Sequence, residues 1–376
     1  MKSVEIPAAT ERHVIDHDIH GLMGVRLINA TSTDAGSIAR HLGAPTVSPP
    51  REPDITVSFV DRLRVGEPLR YVDRGTAAYA LDEFVLLDHG RGPRVSIAFD
   101  ELGRSMTIVA ERGARLVPLL MPILNASMLA RGVVPIHGAA FTFGAAGMVA
   151  TGWSGAGKTG VLLGALQAGA RLIAPEWVYV PGGGERMVGL RQPLRVRNWH
   201  LRQLRPLGRS LARRDRARLR ALDMVSTVAV RGPRLLRRRT ARFAAAIEHR
   251  AFADLGPDRL PHLTAVSEAR LRAVVLLTHR SKGGVLLEPI AQAEGIERLS
   301  ALMRAQWLDL LHNYLRFRFA FPGRKSDLIE GLAEQHHAGL TQALANKEIY
   351  MLTNPWPPSI EAIGDVLRSA FHERSS

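Results

Sequence analysis

The chain has 376 residues, 46% of them hydrophobic, and a formal net charge of +15. That length fits two domains or one large one with additions, and that composition excludes a disordered chain and a membrane protein. Cysteine is absent, which excludes disulfides, thiolate zinc sites and cysteine nucleophiles and accords with a reducing, cytoplasmic setting.

The first residues, Met1 to Pro7, lack the apolar stretch of a secretory signal. His13, His17 and His20 with Asp16 and Asp18 imitate a ligand set, because i, i+4 spacing puts His13 and His17 on one face of a helix. A charged run near a terminus reads instead as a solvated segment. Short apolar runs bounded by turn residues predict strands at 25–28, 55–60, 84–87 and 95–99, and a helix at 34–42. Residues 45–54, rich in proline, read as an exposed connection. Residues 1–115 are therefore expected to form a β-rich α+β domain. Residues 117–131 read as a core helix: the apolar run at 116–129 is 14 residues long and contains Pro118 and Pro122, short of the ~20 that a spanning helix needs.

The segment Gly152-Trp153-Ser154-Gly155-Ala156-Gly157-Lys158-Thr159 satisfies the phosphate-loop pattern G-x-x-x-x-G-K-[ST] at every defined position. Glycines let the backbone curl so that its N–H groups converge, the lysine reaches β- and γ-phosphates, and the threonine hydroxyl suits magnesium. Residues 147–150 enter the segment like a buried strand, and 161–166 leave it like a helix whose positive end faces the phosphates. Only Lys2, Lys158, Lys282, Lys325 and Lys347 are lysines, so a chance lysine in a glycine-rich turn is a poor alternative.

Arginine is concentrated downstream. Residues 202–220 carry Arg202, Arg205, Arg209, Arg213, Arg214, Arg216, Arg218 and Arg220, and 231–242 carry six more. Such a basic field favours acidic or phosphate-rich partners. Few aromatics interleave, which disfavours nucleic acid as the partner. A helix is expected at 210–222, then a strand pair at 273–278 and 285–288 turning through Lys282-Gly283-Gly284, then helices at 292–314, 325–344 and 360–371. His336 and His337 read as solvent-facing on a polar helix, and His200 as structural.

The order of segments from Ile136 to Val180 resembles the HPr kinase/phosphorylase family and its relatives with the phosphoenolpyruvate carboxykinase-type P-loop fold. It runs Ile136-His137-Gly138, a second strand, the loop, a helix, then Gly169-Ala170-Arg171-Leu172 leading to Pro175-Glu176. The resemblance covers about 45 residues firmly, and a looser similarity extends to residues 314–322. It implies an α/β fold, with a P-loop core on a mixed sheet over 116–376, an arginine-rich insertion at about 202–261 and a helical C-terminal part. It also implies ATP and Mg2+ as cofactors, with Gly152, Ser154, Gly155, Ala156, Gly157, Lys158 and Thr159 around the phosphates. His137 would lie near the transferred phosphoryl group, and Thr159 with Glu176 on the metal.

The family's aspartate pair falls on Pro175 and Glu176, and proline cannot take a proton from an acceptor hydroxyl. Trp153 and Gly160 stand where the family's loop usually has aspartate and glutamate. His137 or His200 is an alternative base. Arg195, Arg197, Arg316 and Arg318 are candidates for neutralising phosphate charge, the last two sharing one face if 314–322 is extended. Asp88, closing the apolar run from Phe84, is a weaker metal candidate than Glu176. Three functions stay open: a kinase acting on a hydroxyl of a protein, peptide or small molecule, a catalytically degenerate nucleotide-binding scaffold, and a P-loop ATPase linked to nucleic acid. Assembly of identical copies is open as well.

Overall fold

Period-two apolar runs form strands and broader apolar stripes form helices, giving a mixed α/β protein in this computed structural model. The structure describes residues 13–46, 52–64, 69–72, 77–81, 83–86, 94–98, 100–114, 117–231, 251–256, 259, 264–356 and 358–371. In chain order, β1 (Val14–Ile19), β2 (Met23–Ile28), α1 (Ser32–Leu42), β3 (Ile55–Val60), β4 (Arg70–Tyr71), β5 (Ala77–Tyr79), β6 (Glu83–Leu86), β7 (Val95–Ala98) and β8 (Met106–Glu111) come first. Then follow α2 (Val117–Ala130), β9 (Val133–Phe143), β10 (Ala146–Thr151), α3 (Lys158–Gln167), β11 (Arg171–Ala174), β12 (Trp177–Pro181), β13 (Arg186–Gly189) and β14 (Leu194–Val196). The remainder is α4 (Asn198–Gln203), α5 (Arg205–Arg209), α6 (Arg213–Arg231), β15 (Ala253–Leu255), β16 (Glu268–Arg280), β17 (Leu286–Pro289), α7 (Gln292–Gln306), α8 (Leu308–Ala320), α9 (Asp327–Ala343), β18 (Glu348–Pro355) and α10 (Ile360–Phe371). These elements fall into two discontinuous units, residues 1–137, 178–190 and 291–346, and residues 138–177, 191–290 and 347–376.

The first unit carries a sheet of order β1-β2-β3-β8-β7-β6-β5-β4, in which β2, β3 and β8 run parallel. Helix α2 is apolar nearly all round because Leu120, Ile123, Leu124 and Met128 are all fully buried. No helix among the described residues is long and apolar enough to cross a membrane. The expected helix at 292–314 is two helices, broken at Trp307, whose φ is -98° and ψ 0°. Trp307 is 1% exposed and its ring meets that of His336 at 5.2 Å, so burying one large ring bends the chain out of the helical path.

Three further expectations are corrected in this unit. The histidine cluster near the start is a strand rather than a helix and is only partly solvated: β1 holds Asp16 against Arg26 at 2.8 Å and buries His17, while His13 and Asp18 are exposed. An extended chain also separates His13 from His17 by about 13 Å. Residues 314–320 are helical rather than extended, and Arg318 lies 3.4 Å from Glu330. His336 is buried rather than solvent-facing, with its Nε2 3.0 Å from the Pro135 carbonyl. An α9 face that reads as polar thus supplies one ring to the core through a backbone hydrogen bond.

The second unit holds a mixed sheet of order β11-β9-β10-β16-β18-β17, with β10, β16 and β18 parallel. The strands expected to pair at 273–278 and 285–288 do not form a hairpin. Strand β18 inserts between them, parallel to β16 and antiparallel to β17. Its Ile349, Tyr350, Leu352 and Asn354 are buried, and that burial outweighs the short-range pairing that Lys282-Gly283-Gly284 suggests. Helix α3 is buried through Val161, Leu162, Leu163 and Ala165. The arginines expected at 231–242 lie, beyond Arg231, outside the described residues, as does Asp88.

Candidate functional site

The candidate site begins where β10 ends. Residues Gly147 to Thr151 are buried and carry the chain to Gly152. A Cβ added at Gly152 would sit 3.0 Å from the Ala156 Cβ and 3.1 Å from the Leu277 Cβ, so the turn closes tightly only on glycine. Gly155 and Gly157 adopt left-handed φ of 87° and 89°, a region that side-chain-bearing residues rarely enter. Gly157 is also the N-cap of α3, and no side chain caps it. The first amides of α3 therefore open toward the loop, in the manner of a helix start that receives an anion.

Lys158 is the first residue of α3. Its Nζ donates to the Gly152 carbonyl at 2.7 Å and approaches the Trp153 carbonyl at 3.3 Å. The ammonium is thus folded over its own loop. Burial lowers its pKa to about 8, opposed by the negative charge of Glu176. Thr159 follows, half-buried, while Ser154 is exposed and Ala156 buried.

Glu176 lies in the bend between β11 and β12, and its backbone carbonyl accepts the Gly138 N–H at 2.9 Å. Its carboxylate is 3.6 Å from the Arg195 guanidinium, which is also 3.9 Å from Asp254 and sits over the Phe252 ring at 5.2 Å. Lys158, Glu176 and Arg195 thereby form one charged group beside the loop, drawn from α3, the β11–β12 bend and β14. Pro175, directly before Glu176, offers no proton acceptor.

Among the other sequence candidates, His137 is half-buried on β9, immediately before Gly138, which pairs with Thr151 of β10. His200 is buried at 3% exposure and its Nδ1 accepts the Arg197 N–H at 2.9 Å. Burial, aided by the charge of Arg197, pushes its pKa down to about 3. It is a capping group, and an imidazole of that pKa is a poor proton acceptor. Its contribution to stability follows from linkage. The unfolded chain protonates His200 near pH 6.5 and the folded chain does not, so stability is lost as pH falls from about 6.5 toward 3. The loss reaches roughly 2 kcal/mol by pH 5. Urea midpoints at pH 7 and pH 5 should separate less in His200→Gln than in the unaltered chain.

Sequence reasoning missed His279. It stands at the end of β16, in register with Asn354 of β18, and its Nδ1 is 2.9 Å from the Asn354 Oδ1. The ring reaches the loop: Nε2 is 3.5 Å from the Gly155 carbonyl. Because β10, β16 and β18 are parallel, their carboxyl ends bring the loop, His279 and Asn354 to one edge of the sheet, where open α/β sheets bind ligands. The only advance signal was a polar Thr278-His279 closing an apolar strand. Gly160, where a glutamate was expected by resemblance, faces the Trp199 ring, and a Cβ there would meet Trp199 Cη2 at 2.9 Å. Trp199 occupies the space that a longer side chain would need.

No family model matches the chain, and no curated protein matches it either.

Proposed function

We propose that this protein binds ATP with magnesium at the loop of residues 152–159, in an HPr kinase-like core, and transfers the γ-phosphate to a hydroxyl of a protein, peptide or small molecule. The observation that carries the reading is the uncapped start of α3 joined to Lys158. An ammonium hydrogen-bonded to its own loop carbonyls, with the Glu176 charge nearby and open helix amides beside it, is placed to exchange those carbonyls for phosphate oxygens. Glu176 and Arg195 supply the charge around it.

In this reading Lys158 and the loop amides from Gly155 to Thr159 stabilise the β- and γ-phosphates. The Thr159 hydroxyl and the Glu176 carboxylate are hard oxygen donors of the kind magnesium takes, and fit as its protein ligands. Magnesium, when bound, neutralises charge on the phosphate oxygens. Arg195 is free to swing from Glu176 toward a phosphate, since its ion pairs are long at 3.6 and 3.9 Å. His137 keeps its proposed place next to the acceptor.

Pro175 favours a second reading, a nucleotide-binding scaffold without transfer. Arg202, Arg205, Arg216 and Arg220 line a cleft of about 770 Å3 on α4 to α6, which would suit an acidic partner in either case. Calorimetric titration with ATP and magnesium, followed by assay of the same samples for ADP, separates the two. Saturable binding with ADP formed supports transfer or hydrolysis. Binding without ADP, even with acidic hydroxyl-bearing peptides added, selects the scaffold, and no binding overturns both.

A further inference from the structure

Three rings stand beside the loop in the second unit. His279 and Trp356 meet at 5.1 Å between centroids and 71° between planes, and Trp356 and Trp199 at 5.9 Å and 68°. Both ends of this row touch the phosphate-loop region. His279 lies 3.5 Å from the Gly155 carbonyl, and Trp199 lies over Gly160 in the first turn of α3. The row is held from behind: Asn354 fixes the His279 ring through Nδ1, and Trp199 stacks on the buried His200 at 3.8 Å. Trp356, in the middle, remains 56% exposed.

An indole left open between two anchored rings is unusual on a soluble surface, where large exposed aromatics mark binding sites. Its position relative to the loop says what it would receive. A phosphate chain whose β- and γ-groups meet Lys158 has its α-phosphate at the last loop amides and the start of α3. The rest of the molecule must leave from that turn. Trp199, packed against Gly160 in that turn, and Trp356 beside it stand there.

We infer that Trp356, supported by Trp199 and His279, is the stacking surface for the base of the bound nucleotide. The inference rests on the nucleotide reading of the loop. Stacking accepts any flat heterocycle, so the surface selects a nucleoside triphosphate over a bare polyphosphate and not one base over another.

The test compares Mg-ATP with Mg-tripolyphosphate, which offers the same phosphates and no ring, by calorimetry on the full chain. Trp356→Ala should weaken Mg-ATP about tenfold or more and leave tripolyphosphate unchanged. Trp356→Phe, which keeps a ring, should recover part of the loss, and thermal melts of both variants report whether they fold. Unchanged affinities for both ligands in Trp356→Ala overturn the stacking surface while sparing the loop. An equal loss for both ligands overturns it too, because the ring would then act through loop structure. Failure of the unaltered chain to bind either ligand removes the nucleotide reading itself, and the stacking surface with it.

Discussion

Replacing Lys158 with alanine is expected to weaken Mg-ATP binding about 100-fold, as the loss of charge-assisted hydrogen bonds worth roughly 3 kcal/mol would do. The variant should also lose a proton signature. With a pKa lowered to about 8 by burial, Lys158 is about half protonated at pH 8 and mostly neutral at pH 9. A polyphosphate beside it favours the charged form and raises that pKa. Binding must therefore take up about half a proton at pH 8, more at pH 9, and about a tenth at pH 7. Calorimetry in buffers of different protonation enthalpy measures this number directly. Nucleotide affinity should accordingly fall as pH rises past 8. Equal proton uptake by Lys158→Ala at pH 8.5 would remove the lysine from the site, whatever the affinities.

Gly164→Ala should be among the most damaging single substitutions, although alanine is the better helix former by about 1 kcal/mol. Gly164 of α3 and Gly364 of α10 lie back to back. A Cβ on Gly164 would fall 2.6 Å from the Ile360 carbonyl oxygen and 3.1 Å from the Gly364 nitrogen, and one on Gly364 would fall 2.6 Å from the Gly164 oxygen. Backbone atoms cannot rotate away as a side chain can, so the helices must separate. Overpacking of this kind costs about 1–3 kcal/mol and more where backbone is involved. The loss should appear as a lower urea midpoint. Because α3 begins at Lys158, weaker Mg-ATP binding should accompany it. Gly169→Ala is the control of opposite design: nothing lies within 4 Å of its added Cβ, and only its φ of 98° is strained. If Gly164→Ala is as stable as the unaltered chain, the close approach of α3 and α10 is wrong.

The loop and its two flanks were legible because they are local. Gly152, Gly155 and Gly157 act through their own backbone angles, and Lys158 and Thr159 follow at fixed helical positions. Four of the eight strands in the first unit's sheet, β2, β3, β6 and β7, were legible too, because they are short apolar runs bounded by turn residues. The misreadings share a cause. β18, a short apolar run from Ile349 to Thr353 closed by Asn354-Pro355, has a strand pattern that went unread, and nothing local in it shows that it occupies the place between β16 and β17. His336 and Trp307 came to the core through one another, and His17 through β1, none of which a single stretch of chain reveals.

By itself the sequence determined the phosphate-loop pattern, the helix that must follow it and the basic charge, all of which are properties of neighbouring residues. Only the tertiary structure decided what stands around the loop. His279 and Gly155 are 124 positions apart, and His279 and Asn354 are 75 apart. Their meeting depends on β10, β16 and β18 being parallel and in one order. That order is chosen by which apolar faces are buried together, a long-range balance over the whole unit that no local spacing expresses.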